Sequence, residues 1–320
     1  MHPASHSNPS LEVLIQKLSE KFASTGQDLA SYLEGLLYAE YLSYWDYIHL
    51  DTLLSLQKPK TAIPDEQIFI IYHQITELYF KLILLEFEQI HPSTDVADFI
   101  MRVQRANRYF RNLALSFDVM SDGMEQKQFL RFRMALLPAS GFQSVQYRMI
   151  EIKSTDFIHL VDKDHRSRFK GNEPIEVLFE HIYWKQGATE LASGKKTYTL
   201  QTFEDKYAGS LKNMAESNRS TNLFALYRQL PDSEQKANLR NELRRLDSYV
   251  NVNWPLAHYK TAVRYLERDP ESIAATGGTN WQKYLPPRFQ RRVFYPELWT
   301  SQELDEWGKA WVEKELFGML

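Results

Sequence analysis

The chain of 320 residues is 43% hydrophobic and 25% charged, with no cysteine and a formal charge of −3 at pH 7. That length allows a sizeable buried core, and 38 Lys and Arg against 41 Asp and Glu give no electrostatic case for nucleic acid or an anionic membrane as partner. The absence of cysteine excludes disulfides, iron–sulfur clusters, thiolate zinc sites, thiolate-ligated or thioether-attached haem and a cysteine nucleophile, so any metal must rest on nitrogen or oxygen.

The first ten residues, Met1 to Ser10, are polar and lack the basic-then-apolar order of a signal peptide, which predicts a cytoplasmic protein. A first helix falls within 1–26, and the remainder, 27–320, reads as one all-α domain. Ser43 followed by Asp46 resembles a capping box, opening a helix expected to run to about Gln57, where Lys58-Pro59 stops it. Pro64-Asp65-Glu66 opens the next apolar run, with two acids at the positive end of the helix dipole, and His91-Pro92 closes it. The run from Ile68 to Leu85 is the most apolar stretch, but His73, Glu77 and Lys81 within it favour a buried soluble helix over a membrane span. Val96, Ile100, Val103, Phe110, Leu113, Phe117 and Met120 recur at helical spacing and mark one face of a long helix. Lys196 to Leu200 fits either a short strand or the lead into a following helix. Pro255 interrupts an otherwise helical segment from Glu234 to Arg268 and predicts a kink just before His258. Ala275 to Pro287 reads as a long loop, and Thr300-Ser301-Gln302-Glu303 caps a last helix bearing Leu304, Trp307, Trp311 and Leu316.

No Walker loop, Gly-x-Ser-x-Gly elbow or His-Glu-x-x-His motif is present. His159, Asp162 and His165 are close in sequence, but Lys163, Asp164, Arg166 and Arg168 around them describe a solvated face rather than a metal site. Two histidines have large apolar neighbours instead. His73 follows Phe69 by one helical turn, so ring and imidazole share a face suited to a flat apolar ligand with one polar contact. His258 lies beside the expected kink, where a neutral imidazole suits iron ligation; a core histidine bonded to a backbone carbonyl is the alternative for either residue. Arg133 stands among apolar residues and calls for a partner, either an internal acid or a ligand carboxylate. Thr276-Gly277-Gly278 offers backbone N–H groups to an anion, or makes an ordinary turn.

Several segments, in order, resemble the tryptophan 2,3-dioxygenase family of histidine-ligated haem enzymes. They are Tyr44 to Leu54, Asp65-Glu66, Phe69-Ile70-x-x-His73-Gln74-x-x-Glu77-Leu78, Phe132-Arg133-x-x-Leu136, Pro138-x-Ser140-Gly141-Phe142-Gln143-Ser144-x-Gln146-Tyr147-Arg148, Trp254-x-x-x-His258 and Thr276-Gly277-Gly278. The resemblance implies a helical bundle enclosing b-type haem, with His258 as the proximal iron ligand and Ser140, Gly277 and Gly278 near the cofactor. It implies that His73 accepts the indole N–H and Phe69 packs on the indole. Arg133 then grips the substrate carboxylate, Phe129 and Leu136 line the pocket, and Thr276 helps hold the ammonium. Tyr44, Tyr47 and Ile48, within 27–58, match pocket residues lent by a neighbouring subunit, implying a homo-oligomer, with a tetramer expected. The implied reaction uses dioxygen to open the indole C2–C3 bond of L-tryptophan, giving N-formylkynurenine. Two alternatives are a haem-dependent monooxygenase acting on a modified tryptophan or another aromatic amino acid, and a non-catalytic haem-sensing or interaction protein. Compared with the family pattern, the segment between His258 and Thr276 is longer by about one helical turn, Pro255 replaces an arginine, Thr279 replaces a serine and Tyr79 replaces a tryptophan.

Overall fold

Helical spacing governs the chain in the computed structural model, which describes residues 10–136, 139–186, 188–189, 195–266 and 287–308. Among these residues β structure is limited to the isolated bridges Val161–Ile182 and Thr189–Lys196, and the fold is all-α. Two compact units divide at the Lys58-Pro59 stop, Met1–Gln57 and Lys58–Leu320.

The N-terminal unit carries α1 (Leu11–Ala23), α2 (Leu29–Leu37), α3 (Tyr44–Tyr47) and α4 (Leu50–Leu54). Asp28 caps α2 by accepting from the Ala30 and Ser31 N–H groups, each at 3.1 Å. Ser43 caps α3 through the Asp46 N–H at 3.4 Å, and its hydroxyl also meets the Asp46 carboxylate. The single helix expected from Ser43 to Gln57 is in fact two, because His49 adopts left-handed backbone with φ 51°. That conformation disfavours any residue with a Cβ and breaks the hydrogen-bond ladder between Tyr47 and Leu50. None of these four helices has a buried residue; Leu37 is 83% and Tyr41 92% exposed, so the unit has no core of its own.

In the second unit α5 (Asp65–Glu88) begins where Pro64 and the two acids predict. Glu66 is buried there and accepts the Lys60 N–H at 2.6 Å, the Thr61 N–H at 2.7 Å and the Thr61 hydroxyl at 2.6 Å. By length and composition α5 could cross a membrane, yet its Tyr72, Phe80, Ile83, Leu84 and Phe87 are buried within the protein core. Next come α6 (Val96–Ser116), α7 (Asp118–Ser121), α8 (Gln126–Phe132) and α9 (Val145–Ser154), then the short α10 (Lys163–Arg166), α11 (Ile175–Phe179) and α12 (Tyr183–Gln186). The chain closes with α13 (Tyr198–Ser217), α14 (Leu223–Gln229), α15 (Glu234–Ser248), α16 (Trp254–Leu266), α17 (Pro287–Gln290) and α18 (Ser301–Asp305). The apolar face of α6 packs on α5 and α15, burying Val103, Phe110 and Leu113 completely or nearly so. Asn107 fixes the register of α6 on α15 by donating to the Glu242 carbonyl at 3.1 Å and carboxylate at 2.9 Å.

Between α15 and α16 the helix widens into a π-helical turn, Tyr249–Asn253. Pro255 has no N–H to give the Asn251 carbonyl four residues back, and the Trp254 N–H bonds to the Tyr249 carbonyl instead. Lys196 pairs in a bridge and Tyr198 already belongs to α13, so the stretch leads into a helix. The Thr300–Glu303 capping box is present, with the Thr300 N–H donating to Glu303 at 2.8 Å, although α18 ends at Asp305 and Trp311 and Leu316 lie outside the described residues. Buried Asp247 ties the C-terminal segment to α15: it accepts from the Phe294 N–H at 3.0 Å, the Tyr295 N–H at 3.2 Å and the Trp299 indole at 3.0 Å. This tie holds Arg292 beside the π-helical turn, where it bonds the Asn251 side chain.

Candidate functional site

A cavity of about 380 Å³ lies within the second unit, walled chiefly by α5 and α16. Phe69, His73, Thr76 and Phe80 are three or four residues apart on α5, and Trp254, His258, Thr261 and Tyr265 on α16, so each helix presents one stripe to it. Aromatic rings fix both imidazoles. Phe69 lies 4.0 Å from His73, while Phe117 and Trp254 each lie 4.5 Å from His258, centroid to centroid.

Each imidazole also spends one nitrogen on its own helix. His73 Nδ1 is 2.7 Å from the Phe69 carbonyl and His258 Nδ1 is 3.1 Å from the Trp254 carbonyl. A carbonyl only accepts, so Nδ1 carries the proton in both and Nε2 keeps a free lone pair. Burial pushes His258 down from 6.5 to about 4, against the opposing pull of the Trp254 carbonyl. Burial also lowers His73, whose open surface faces the cavity, while the Phe69 carbonyl and the Glu77 carboxylate oppose the shift. Near neutral pH both side chains are therefore uncharged bases on the cavity wall.

A pH dependence of folding follows. The unfolded chain protonates His258 below about 6.5 and the folded chain only near 4, so stability present at neutral pH is lost as pH falls through that interval. In urea, the unfolding midpoint of the cofactor-free protein should fall more steeply between those pH values than that of His258→Phe. Parallel profiles would contradict a His258 held neutral by the fold.

Phe129 and Ser140 line the cavity with His73, His258 and Phe69. Arg133 and Leu136 are not among the lining residues, but both sit in the short 3₁₀ turn Arg133–Leu136 that continues α8 past Phe129. Arg133 is only 7% exposed, its Nη1 has no hydrogen-bond partner, and among the described residues no carboxylate pairs with it. A buried guanidinium without an anion is costly, so this position calls for one. Tyr44, Tyr47 and Ile48 belong to the N-terminal unit, where the two tyrosines are exposed. Thr276, Gly277 and Gly278, with the rest of the expected Ala275–Pro287 loop apart from Pro287 itself, lie outside the described residues. His165 Nδ1 lies 3.5 Å from the Asp162 carboxylate and its ring stacks on His181, and among the described residues no three side chains gather as a metal site there.

Sequence reasoning missed the charged part of the wall. Arg148 and Arg292 line the cavity and share the buried carboxylate of Glu151. Arg148 falls inside a quoted motif but carried no role. The signal for Arg292 is a basic pair, Arg291-Arg292, running directly into the buried Val293-Phe294-Tyr295. Glu77, one turn after His73, also lines the cavity and accepts from the Gln146 amide at 2.8 Å.

The fold and site define an all-α protein with two uncharged histidines on the wall of one aromatic cavity. A family model described as Tryptophan 2,3-dioxygenase matches residues 35–181. Curated relatives extend the likeness over most of the chain. A tryptophan 2,3-dioxygenase from Ruegeria sp. (strain TM1040) is 28% identical over 296 residues, 88% of this chain and 98% of that protein. Those from Polaromonas naphthalenivorans (strain CJ2) and Bacillus thuringiensis subsp. konkukian (strain 97-27) are each 28% identical, covering 81% and 82% of this chain and 90% and 92% of their own. The chain is thus similar to tryptophan 2,3-dioxygenases over most of its length, with the family model matching part of it.

Proposed function

We propose that this protein opens the indole C2–C3 bond of L-tryptophan with both atoms of dioxygen, yielding N-formylkynurenine, on a b-type haem ligated by His258. The observation that carries the reading is the pair of neutral imidazoles, His73 and His258, on the wall of one aromatic cavity in a chain similar to tryptophan 2,3-dioxygenases. The donor set fits haem: His258 has a free Nε2, aromatic side chains form the walls, and no cysteine exists to attach or ligate the group. When bound, haem iron supplies the site for dioxygen.

The chain's own residues bind and orient the substrate. His73 Nε2 accepts the indole N–H, a role its tautomer permits because Nδ1 is committed to Phe69. Phe69 and Phe129, 6.5 Å apart, pack against the indole, and Arg133 meets the carboxylate with a planar fork that has no acid to hold among the described residues. Ser140 lies near the cofactor, and Leu136 sits in the turn that carries Arg133; Thr276 is assigned to the substrate ammonium, and Gly277 and Gly278 to the cofactor. Positioning supplies much of the catalysis. Adding L-tryptophan and a reductant to the haem-loaded protein in air should raise N-formylkynurenine absorbance, and a haem-loaded protein that leaves tryptophan unchanged contradicts the reading.

The active form is a homo-oligomer, with a tetramer as the expected state, acting in the cytoplasm without nucleic acid or membrane. The coreless Met1–Gln57 unit supports this, since Leu37, Tyr38, Tyr41, Tyr44 and Tyr47 need a protein surface to cover them. Residues 27–58 reach a neighbour and lend Tyr44, Tyr47 and Ile48 to its pocket. Co-refolding inactive Arg133→Ala with inactive Tyr44→Ala/Tyr47→Ala should then return part of the activity, because some shared pockets carry neither defect. No recovery, with hybrids confirmed by mass, contradicts shared pockets.

A further inference from the structure

One part of the cavity wall gathers two arginines around a single carboxylate. Arg148 on α9 and Arg292 are 5% and 4% exposed, and both line the cavity with Tyr147 and Tyr183. One carboxylate serves the two guanidinium groups: Glu151, 1% exposed, lies 3.2 Å from Arg148 Nη1 and 2.7 Å from Arg292 Nη1. The Tyr183 hydroxyl links them, donating to Glu151 at 2.6 Å and accepting from Arg148 Nη1 at 2.8 Å. Burial pushes the Glu151 carboxyl upward while the two arginines pull it down. Burial prevails and the carboxyl stands above its ordinary value, so within this cluster two guanidinium groups share at most one negative charge.

The two arginines are not equally satisfied. Arg292 donates from Nη1 to Glu151, from Nη2 to the Tyr147 hydroxyl at 3.1 Å and the Val250 carbonyl at 3.4 Å, and from Nε to the Asn251 side chain. Arg148 makes its polar contacts through Nη1 alone among the described residues, and its Nε is buried with no partner. The excess positive charge thus belongs to a planar donor fork with unused N–H groups on the wall of the cavity. Such a fork matches a carboxylate. Two carboxylate sources exist under the proposed function, the haem propionates and L-tryptophan, and that reading gives the second to buried Arg133, which has no acid partner among the described residues.

We propose that Arg148, backed by Arg292 through Glu151 and Tyr183, binds a propionate carboxylate of the haem. The assignment rests on the haem reading above and adds the group that selects a carboxylate-bearing porphyrin. Arg292 acts as a positioning residue that shares Glu151 and leaves Arg148 free for the ligand. Removing Arg148 also leaves Glu151 and Arg292 as a matched pair, so the cofactor-free fold tolerates its loss.

The test compares haem with haem dimethyl ester, in which both propionates are uncharged, by spectral titration of the cofactor-free wild type and Arg148→Met, with helicity and unfolding midpoint measured on each. Wild type should prefer haem over the ester. In Arg148→Met haem affinity should fall by roughly thirtyfold or more, the low end for losing a buried charge pair, while ester affinity stays within about twofold. The unfolding midpoint of cofactor-free Arg148→Met should be no lower than that of wild type, and Arg148→Lys should recover part of the haem preference. Equal weakening of both ligands marks Arg148 as structural and overturns the assignment. Wild-type binding without preference, or a loss confined to L-tryptophan in the haem-loaded variant, also overturns it. Wild type that binds neither compound overturns the haem reading, and this assignment with it.

Discussion

His258→Ala should strip the protein of haem while leaving it folded. The imidazole already borders a cavity, so its removal enlarges existing space rather than opening a void in packed core, and its one hydrogen bond ends on the Trp254 carbonyl of its own helix. What disappears is the free Nε2. Losing a group that merely orients a metal ligand typically costs about 10–100-fold in metal affinity, and losing the ligand should cost more. The measurement is haem content and the Soret band after gel filtration, with helicity as control. Added imidazole should restore a Soret band by filling the vacated space. A variant that keeps the wild-type band and haem content would move the iron ligand away from His258.

Arg133→Ala should weaken L-tryptophan binding by roughly 30–5000-fold, corresponding to about 2–5 kcal/mol for a desolvated charge pair. Binding of 3-methylindole, which has the ring but no carboxylate, should change little. The contrast follows from Arg133 being buried without an anion among the described residues and following Phe129, the α8 residue on the cavity wall, by one turn. Equal losses for the two ligands would mean that Arg133 supports the fold and does not contact the carboxylate.

The long elements were legible because their signals are local. In α5 a proline, two acids and a run of apolar residues define start and course, and α6 shows its buried face in the spacing of Val103, Phe110 and Leu113. The split at His49 was not legible: a left-handed histidine follows from its surroundings, not from a propensity for that conformation. Pro255 announced a disturbed helix, but the carbonyl it deprives lies four residues earlier, so the distortion falls at Tyr249–Asn253. In the site, His73 and His258 stood out because each lies among large apolar residues at helical spacing from an aromatic partner. Their tautomers did not, since these depend on the Phe69 and Trp254 carbonyls. The arginine cluster was hidden for a different reason. Arg292 meets Glu151 across 141 positions of sequence and Tyr183 across 109, and no window of local pattern contains such a pair.

The central claim is that tryptophan itself receives both oxygen atoms. The haem-loaded, reduced protein, given L-tryptophan under ¹⁸O₂ and quenched promptly, should yield N-formylkynurenine carrying two labelled oxygen atoms by mass spectrometry. A product with one labelled atom would place the protein among monooxygenases, and unlabelled or unaltered tryptophan would contradict the account outright.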